Sequence, residues 1–236
     1  MRGVSRIPVY RMMYAKVGPA RYISHLDLLR TFGRAARRAG LPLAFTQGYN
    51  PHPKITFAAP LGVGISGEAE FADLELAEDL PVPDVAGALA GALPEGLRLL
   101  EVRQLKGPGP SLMAMVDRAA YRAEARAGVP VTGEKLEQAI LSFLSRPEIL
   151  TERKNKEGKK NLYDLRPGIF SMSGELADDI IKIEAELKTG STGNVRFEEV
   201  LGAFEKTSGI VLRGKCVLFR SGLYAASEKE KMLWPG

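Results

Sequence analysis

Residues 24–40 read Ser24-His25-Leu26-Asp27-Leu28-Leu29-Arg30-Thr31-Phe32-Gly33-Arg34-Ala35-Ala36-Arg37-Arg38-Ala39-Gly40. Ser24 followed three residues later by Asp27 makes a capping box, in which the hydroxyl accepts from the first turn and the carboxylate reaches back. Leu28, Leu29, Phe32, Ala35, Ala36 and Ala39 recur at helical spacing and belong on a face turned to a sheet. Gly40 is the C-terminal stop, with Pro42 just beyond. The pattern predicts a helix from a cap at Ser24 to about Ala39. On its other side Arg30, Arg34, Arg37 and Arg38 fall at i, i+4, i+7 and i+8, a continuous basic stripe. A guanidinium every turn or so, about 5.4 Å apart, matches successive backbone phosphates, which Arg grips bidentately. The plain alternative is a solvated helix in which Asp27 pairs with Arg30 or Arg34.

Outward from that helix, Ile7–Val17 is rich in Val, Tyr and Met and stops at Gly18-Pro19, which predicts a strand. After the helix come a short extended piece at Leu43–Phe45, a turn-forming run at 47–53, and short strands at Ile55–Ala58 and Glu68–Ala77. Asp84 is read as the cap of an Ala-rich helix over Val85–Leu93, and Leu97–Leu105 as a returning strand. Lys106-Gly107-Pro108-Gly109-Pro110 reads as a linker. Beyond it the order recurs: a strand at Leu112–Ala127, a helix over Glu134–Leu144 opened by Thr132, and an extended Ile149–Arg153. A hairpin-like excursion follows, then a strand at Asp179–Leu187, a helix over Phe197–Lys206 capped by Asn194, and a last strand at Ile210–Phe219. Each half therefore reads β-α-β-β-α-β. This predicts an α+β protein of two tandem ferredoxin-like (βαββαβ) domains, 1–105 and 112–236, joined by a linker at 106–111. A single α+β domain with one large sheet is the alternative.

The 236 residues are 45% hydrophobic and 26% charged, a globular composition rather than a disordered one. No apolar stretch approaches a membrane span and the basic start of the chain lacks a signal-peptide core, so a soluble, cytoplasmic protein without a membrane partner is expected. A single cysteine, Cys216, excludes an internal disulfide, a Cys-based zinc site and a protein-held iron–sulfur cluster. No metal site and no cofactor are expected. The net charge of +5 is uneven: residues 1–60 carry +9, residues 61–104 carry −7. That asymmetry points to a polyanion or an acidic partner on one side, or to a solvated surface whose ends differ.

A second constellation is Gln47-Gly48-Tyr49-Asn50-Pro51-His52-Pro53-Lys54, where Gly48 permits positive φ and two prolines stiffen the path. Tyr49, His52 and Lys54 on such a loop suit stacking on a base and gripping a phosphate, unless Tyr49 simply packs on the core. His25 and His52 are the two histidines and the weak candidates for acid–base catalysis, with Tyr22, Tyr49 or Lys54 beside them. His25, however, shares a helical face with Leu29, Phe32 and Ala36, as a core-edge residue does. In the second half, Asp164 and Arg166 are two apart and can pair or orient a ligand, and Arg166 joins the candidate RNA contacts. The turn Lys188–Arg196 is rich in Gly and hydroxyls but lacks a Walker ending.

The motifs at Tyr22–Arg30, Arg34–Pro42 and Gln47–Lys54, with Asp164-Leu165-Arg166-Pro167 and Thr192-Gly193-Asn194-Val195-Arg196, resemble the bacterial radical-SAM-linked protein family. That family is a domain of unknown function, free-standing or fused behind a radical SAM protein. The resemblance implies that a radical SAM partner does the chemistry, since this chain has no Cys-x-x-x-Cys-x-x-Cys run. The expected function is a non-catalytic RNA-binding accessory in tRNA or rRNA modification, with Arg30, Arg34, Arg37, Arg38 and Lys54 on phosphates and Tyr49 and His52 on a base or sugar. The alternatives are a protein adaptor docking on the radical SAM enzyme without nucleic acid, and a metal-independent RNA endonuclease resembling Cas6-like proteins at the level of fold.

Overall fold

The computed structural model describes residues 7–107, 110–155, 157–225 and 233; Pro108 and Gly109 of the expected linker lie outside them. Ten strands and five α-helices among these residues make a mixed α+β fold. They divide into two compact units, Met1–Val116 with Gly222–Gly236, and Asp117–Ser221.

The first unit holds β1 (Val9–Lys16), α1 (His25–Arg38), β2 (Ile55–Phe57), β3 (Ser66–Glu75), α2 (Val82–Ala92), β4 (Leu97–Gln104) and the single turn α3 (Leu112–Met115). Its strands run β4-β1-β3, with β2 on the far side of β3, and every one of these pairs is antiparallel. β1 shows no clean alternation in sequence because both of its faces are covered. Tyr10, Met12 and Tyr14 lie in the helix-side core, while Arg11 and Ala15 are buried as well. α1 lays Leu28, Phe32, Ala35 and Ala36 onto that core. Its Phe32 ring meets Tyr14 at 4.9 Å and Phe57 at 5.7 Å, edge to face. Each such aromatic buries a large apolar area, which offsets the cost of ordering the helix.

Local differences from the sequence reading have simple causes. α2 starts at Val82, because Pro81 and Pro83 suit a helix entrance; Asp84 lies in the first turn and makes no cap bond. Leu112–Met115 is helical rather than the start of a strand, since the Ser111 hydroxyl accepts from the Ala114 amide.

The second unit holds β5 (Val116–Ala127), α4 (Gly133–Leu144), β6 (Leu150–Lys154), β7 (Lys160–Asp164), β8 (Ile169–Ala177), β9 (Ile180–Lys188), α5 (Phe197–Ser208) and most of β10 (Leu212–Ala225). Its sheet order is β10-β5-β9-β8, and β6 with β7 forms a separate hairpin. β8, part of the unassigned excursion in the sequence reading, is a full strand. Its Gly174 leaves room for α4, since a Cβ there would stand 2.6 Å from Ile140 Cδ1. Asn194 does not cap α5: its side-chain oxygen accepts from Thr189 Oγ1 at 3.1 Å, and Arg196 occupies the N-cap.

Candidate nucleic-acid interface

Ser24 is the N-cap of α1, as its spacing predicts. The Asp27 amide donates to Ser24 Oγ at 3.2 Å, and that hydroxyl donates onward to Asp27 Oδ2 at 2.7 Å. The Ser24 hydroxyl, then the Arg30 guanidinium, hold the exposed Asp27 carboxyl below its ordinary value. With the apolar face buried, Arg30, Arg34, Arg37 and Arg38 all project to solvent. They are not equally available. Arg30 meets Asp27 at 3.0 Å, and Arg38 donates to the Ala92 carbonyl at 2.6 Å, bracing the end of α2. Arg34 reaches no acid, only the Thr31 hydroxyl at 3.5 Å. Arg37 lies 5.8 Å over the Phe45 ring. Among the described residues no carboxylate lies within 4.0 Å of Arg34 or Arg37.

The loop after α1 is anchored at its root. Thr46 N donates to His52 O at 2.9 Å, His52 N to Thr46 Oγ1 at 3.0 Å, and Lys54 N to Ala44 O at 2.9 Å. Phe45 and Pro53 form an antiparallel bridge, and Gly48 takes a φ of +126° at the turn. The loop lies against α1 where the helix has no side chain: a Cβ on Gly33 would stand 3.5 Å from Pro53 Cγ. At the tip Tyr49 is 100% exposed, so it is not a core residue, and His52 is exposed beside it.

Other sequence candidates take structural positions. Lys54 is paired with Glu75 at 3.0 Å, both part-buried, and so is not a free cation. Arg166 lies in the second unit, where its guanidinium donates to Leu144 O at 2.8 Å and Ile169 O at 3.2 Å. Asp164 accepts from the backbone amides of Ile149 and Arg166, so its carboxylate braces the turn. His25 is half-buried with its ring 5.4 Å from Phe57, and no hydrogen bond or ring contact joins it to His52. Among the described residues no group of three or more His, Cys, Asp or Glu could hold a metal ion, and no helix is long and apolar enough to cross a membrane. Phe45 was not singled out from sequence; an aromatic at the start of a turn-forming run was the available signal.

Fold and surface together define a mixed α+β chain with a pre-formed basic and aromatic edge. The chain belongs to the family described as uncharacterized protein conserved in bacteria (DUF2344), whose model matches residues 9–197. No curated protein matches it. Among solved structures, a chain of a Cbf5-Nop10-Gar1 complex is similar with a TM-score of 0.53 at 12% identity, over 93% of this chain and 50% of that one. A chain of the archaeal box H/ACA sRNP Nop10-Cbf5 complex gives 0.47 at 9% identity, over 93% and 49%. This chain thus spans about half the length of those chains, and the likeness to the first, at such identity, concerns the fold alone.

Proposed function

We propose that the chain binds RNA along the exposed face of α1 and the loop at residues 45–54, as a non-catalytic accessory that presents tRNA or rRNA to a radical SAM modifying enzyme. One observation carries this reading: Arg34 and Arg37 stand on one helical stripe with no carboxylate within 4.0 Å among the described residues, next to a loop that holds a fully exposed tyrosine. Uncompensated guanidinium groups one turn apart repel each other, and phosphate oxygens relieve that repulsion while accepting bidentately. A tyrosine ring left wholly in water on a loop anchored at its root supplies an open stacking surface for a base. Arg30 adds to the phosphate contacts when Asp27 releases it, and Arg38 frames the far end. On this reading each unit is a ferredoxin-like domain, supported by the strand orders β4-β1-β3-β2 and β10-β5-β9-β8.

The test is binding of the purified protein to tRNA and rRNA fragments at several salt concentrations, with and without Arg34→Glu plus Arg37→Glu. On single-stranded segments each neutralised phosphate adds about 0.7 to the slope of log K against log salt, so losing both arginines lowers the slope by roughly 1.4. Equal slopes for both proteins refute the stripe as the site. Absence of RNA binding, with a radical SAM protein retained after nuclease treatment, selects the adaptor instead. RNA cleavage abolished by changing His25 and His52 to Ala selects the endonuclease.

A further inference from the structure

We propose that the groove at the root of the 45–54 loop receives a nucleobase, so that the RNA held by α1 is single-stranded at that point. This rests on the RNA-binding reading above and narrows its substrate class. The groove is shallow and open to solvent, offers about 550 Å³ and is lined by Ile7, Leu43, Phe45, Thr46, Gly48 and Pro51 among others. None of its lining residues is acidic. One wall is the Phe45 ring, 38% exposed, a large apolar surface left open to water. The backbone that carries the ring is held by the Phe45–Pro53 bridge and the two Thr46–His52 bonds, so the wall stands on a fixed root.

Charge at the rim selects the occupant. The Arg37 guanidinium lies over this ring at 5.8 Å with no carboxylate within 4.0 Å among the described residues, and Arg34 is one turn back along α1. A planar base seated against Phe45 leaves its own phosphate at the groove mouth, within the reach of a long arginine side chain. An apolar peptide would fill the groove but give those arginines no anion. The next base along the strand has Tyr49 for a stacking partner, four residues from Phe45 on the same loop. Paired bases in an A-form duplex are stacked inside the helix and cannot enter such a groove, whereas splayed single-stranded bases can.

The experiment is fluorescence anisotropy with a labelled unstructured 12-nucleotide RNA and a fully paired duplex of the same length, at one salt concentration. It compares the wild type, Phe45→Ala, Phe45→Trp and Arg34→Glu. The expected result is preference for the single strand, a loss of about tenfold in that affinity for Phe45→Ala, and an unchanged duplex affinity. Phe45→Trp retains the affinity, and its indole emission changes on addition of the single strand; Arg34→Glu weakens both RNAs. Equal binding of the two RNAs, with no effect of Phe45→Ala, overturns the base pocket and leaves the phosphate-binding reading intact. No binding of either RNA by the wild type overturns both. Since Phe45 is part-exposed, matching circular dichroism spectra check its folding, and Phe45→Trp separates ring loss from misfolding.

Discussion

Replacing Asp73 by Asn tests how the charges of the first unit are balanced. Arg11 is 2% exposed, and its Nε and Nη2 donate to the two oxygens of Asp73 at 2.8 and 2.9 Å. Its Nη1 donates to Leu233 O at 2.9 Å and approaches Met115 Sδ at 3.6 Å. Losing the carboxylate leaves a guanidinium charge buried without its counter-ion, a defect that costs about 3–5 kcal/mol. The lower end applies here, because the Asp73 side chain keeps 13% exposure and Arg11 keeps its other two contacts. Against a total stability of ~5–15 kcal/mol, a loss of about 3 kcal/mol is large. With a urea dependence of about 2 kcal/mol per M, the midpoint falls by roughly 1.5 M. Circular dichroism measures the midpoint, and hydrogen exchange of the β1 and β3 amides reports on the first unit by itself. The double change Arg11→Met with Asp73→Leu removes both charges and returns the midpoint close to that of the wild type. A midpoint for Asp73→Asn within about 0.3 M of wild type refutes the reasoning, since the pair would then contribute nothing net.

Two further outcomes follow from local geometry. A Cβ at Gly168 would collide with Val195 Cγ2, so Gly168→Ala costs about 1–3 kcal/mol in urea unfolding; adding Val195→Ala gives a total below the sum of the single costs, and strict additivity counts against that contact. Asp27 is held below its ordinary value of about 3.9, first by Ser24 and then by Arg30. The stabilisation of the α1 cap is therefore fully present above that value and is lost as pH falls through the depressed folded value. In Ser24→Ala the NMR titration of the Asp27 carboxyl moves upward; an unmoved titration rules out the hydroxyl as the main cause.

The elements with local signals were legible in the sequence. Ser24 and Gly40 bracket α1, and Thr132 opens α4, because caps and helical spacing are properties of neighbouring residues. β8 was missed, since Ser171, Ser173 and Gly174 weaken its strand pattern and only α4 packed on Gly174 explains the glycine. The Arg30–Arg38 stripe was readable for the same local reason, whereas the sequence left Tyr49 either projecting or packed on the core and the fold leaves it exposed. Which of those cations remain available was not.

By itself, the sequence determined the course of α1 and α4, the basic stripe and the prolines that stiffen the loop, through periodicity, capping and fixed backbone torsions. Only the tertiary structure decided the charge balance. The antiparallel register of β1 with β3 sets Arg11 opposite Asp73, 62 residues away, and β2 beside β3 brings Lys54 to Glu75. Part of the excess positive charge of residues 1–60 is thus cancelled by the acidic stretch after it. Among the described residues Arg34 and Arg37 meet no carboxylate, because α1 turns them to solvent, away from the sheet on which those acids lie. Charge pairs of this kind depend on strand register, and register is a relation between segments that no local pattern contains.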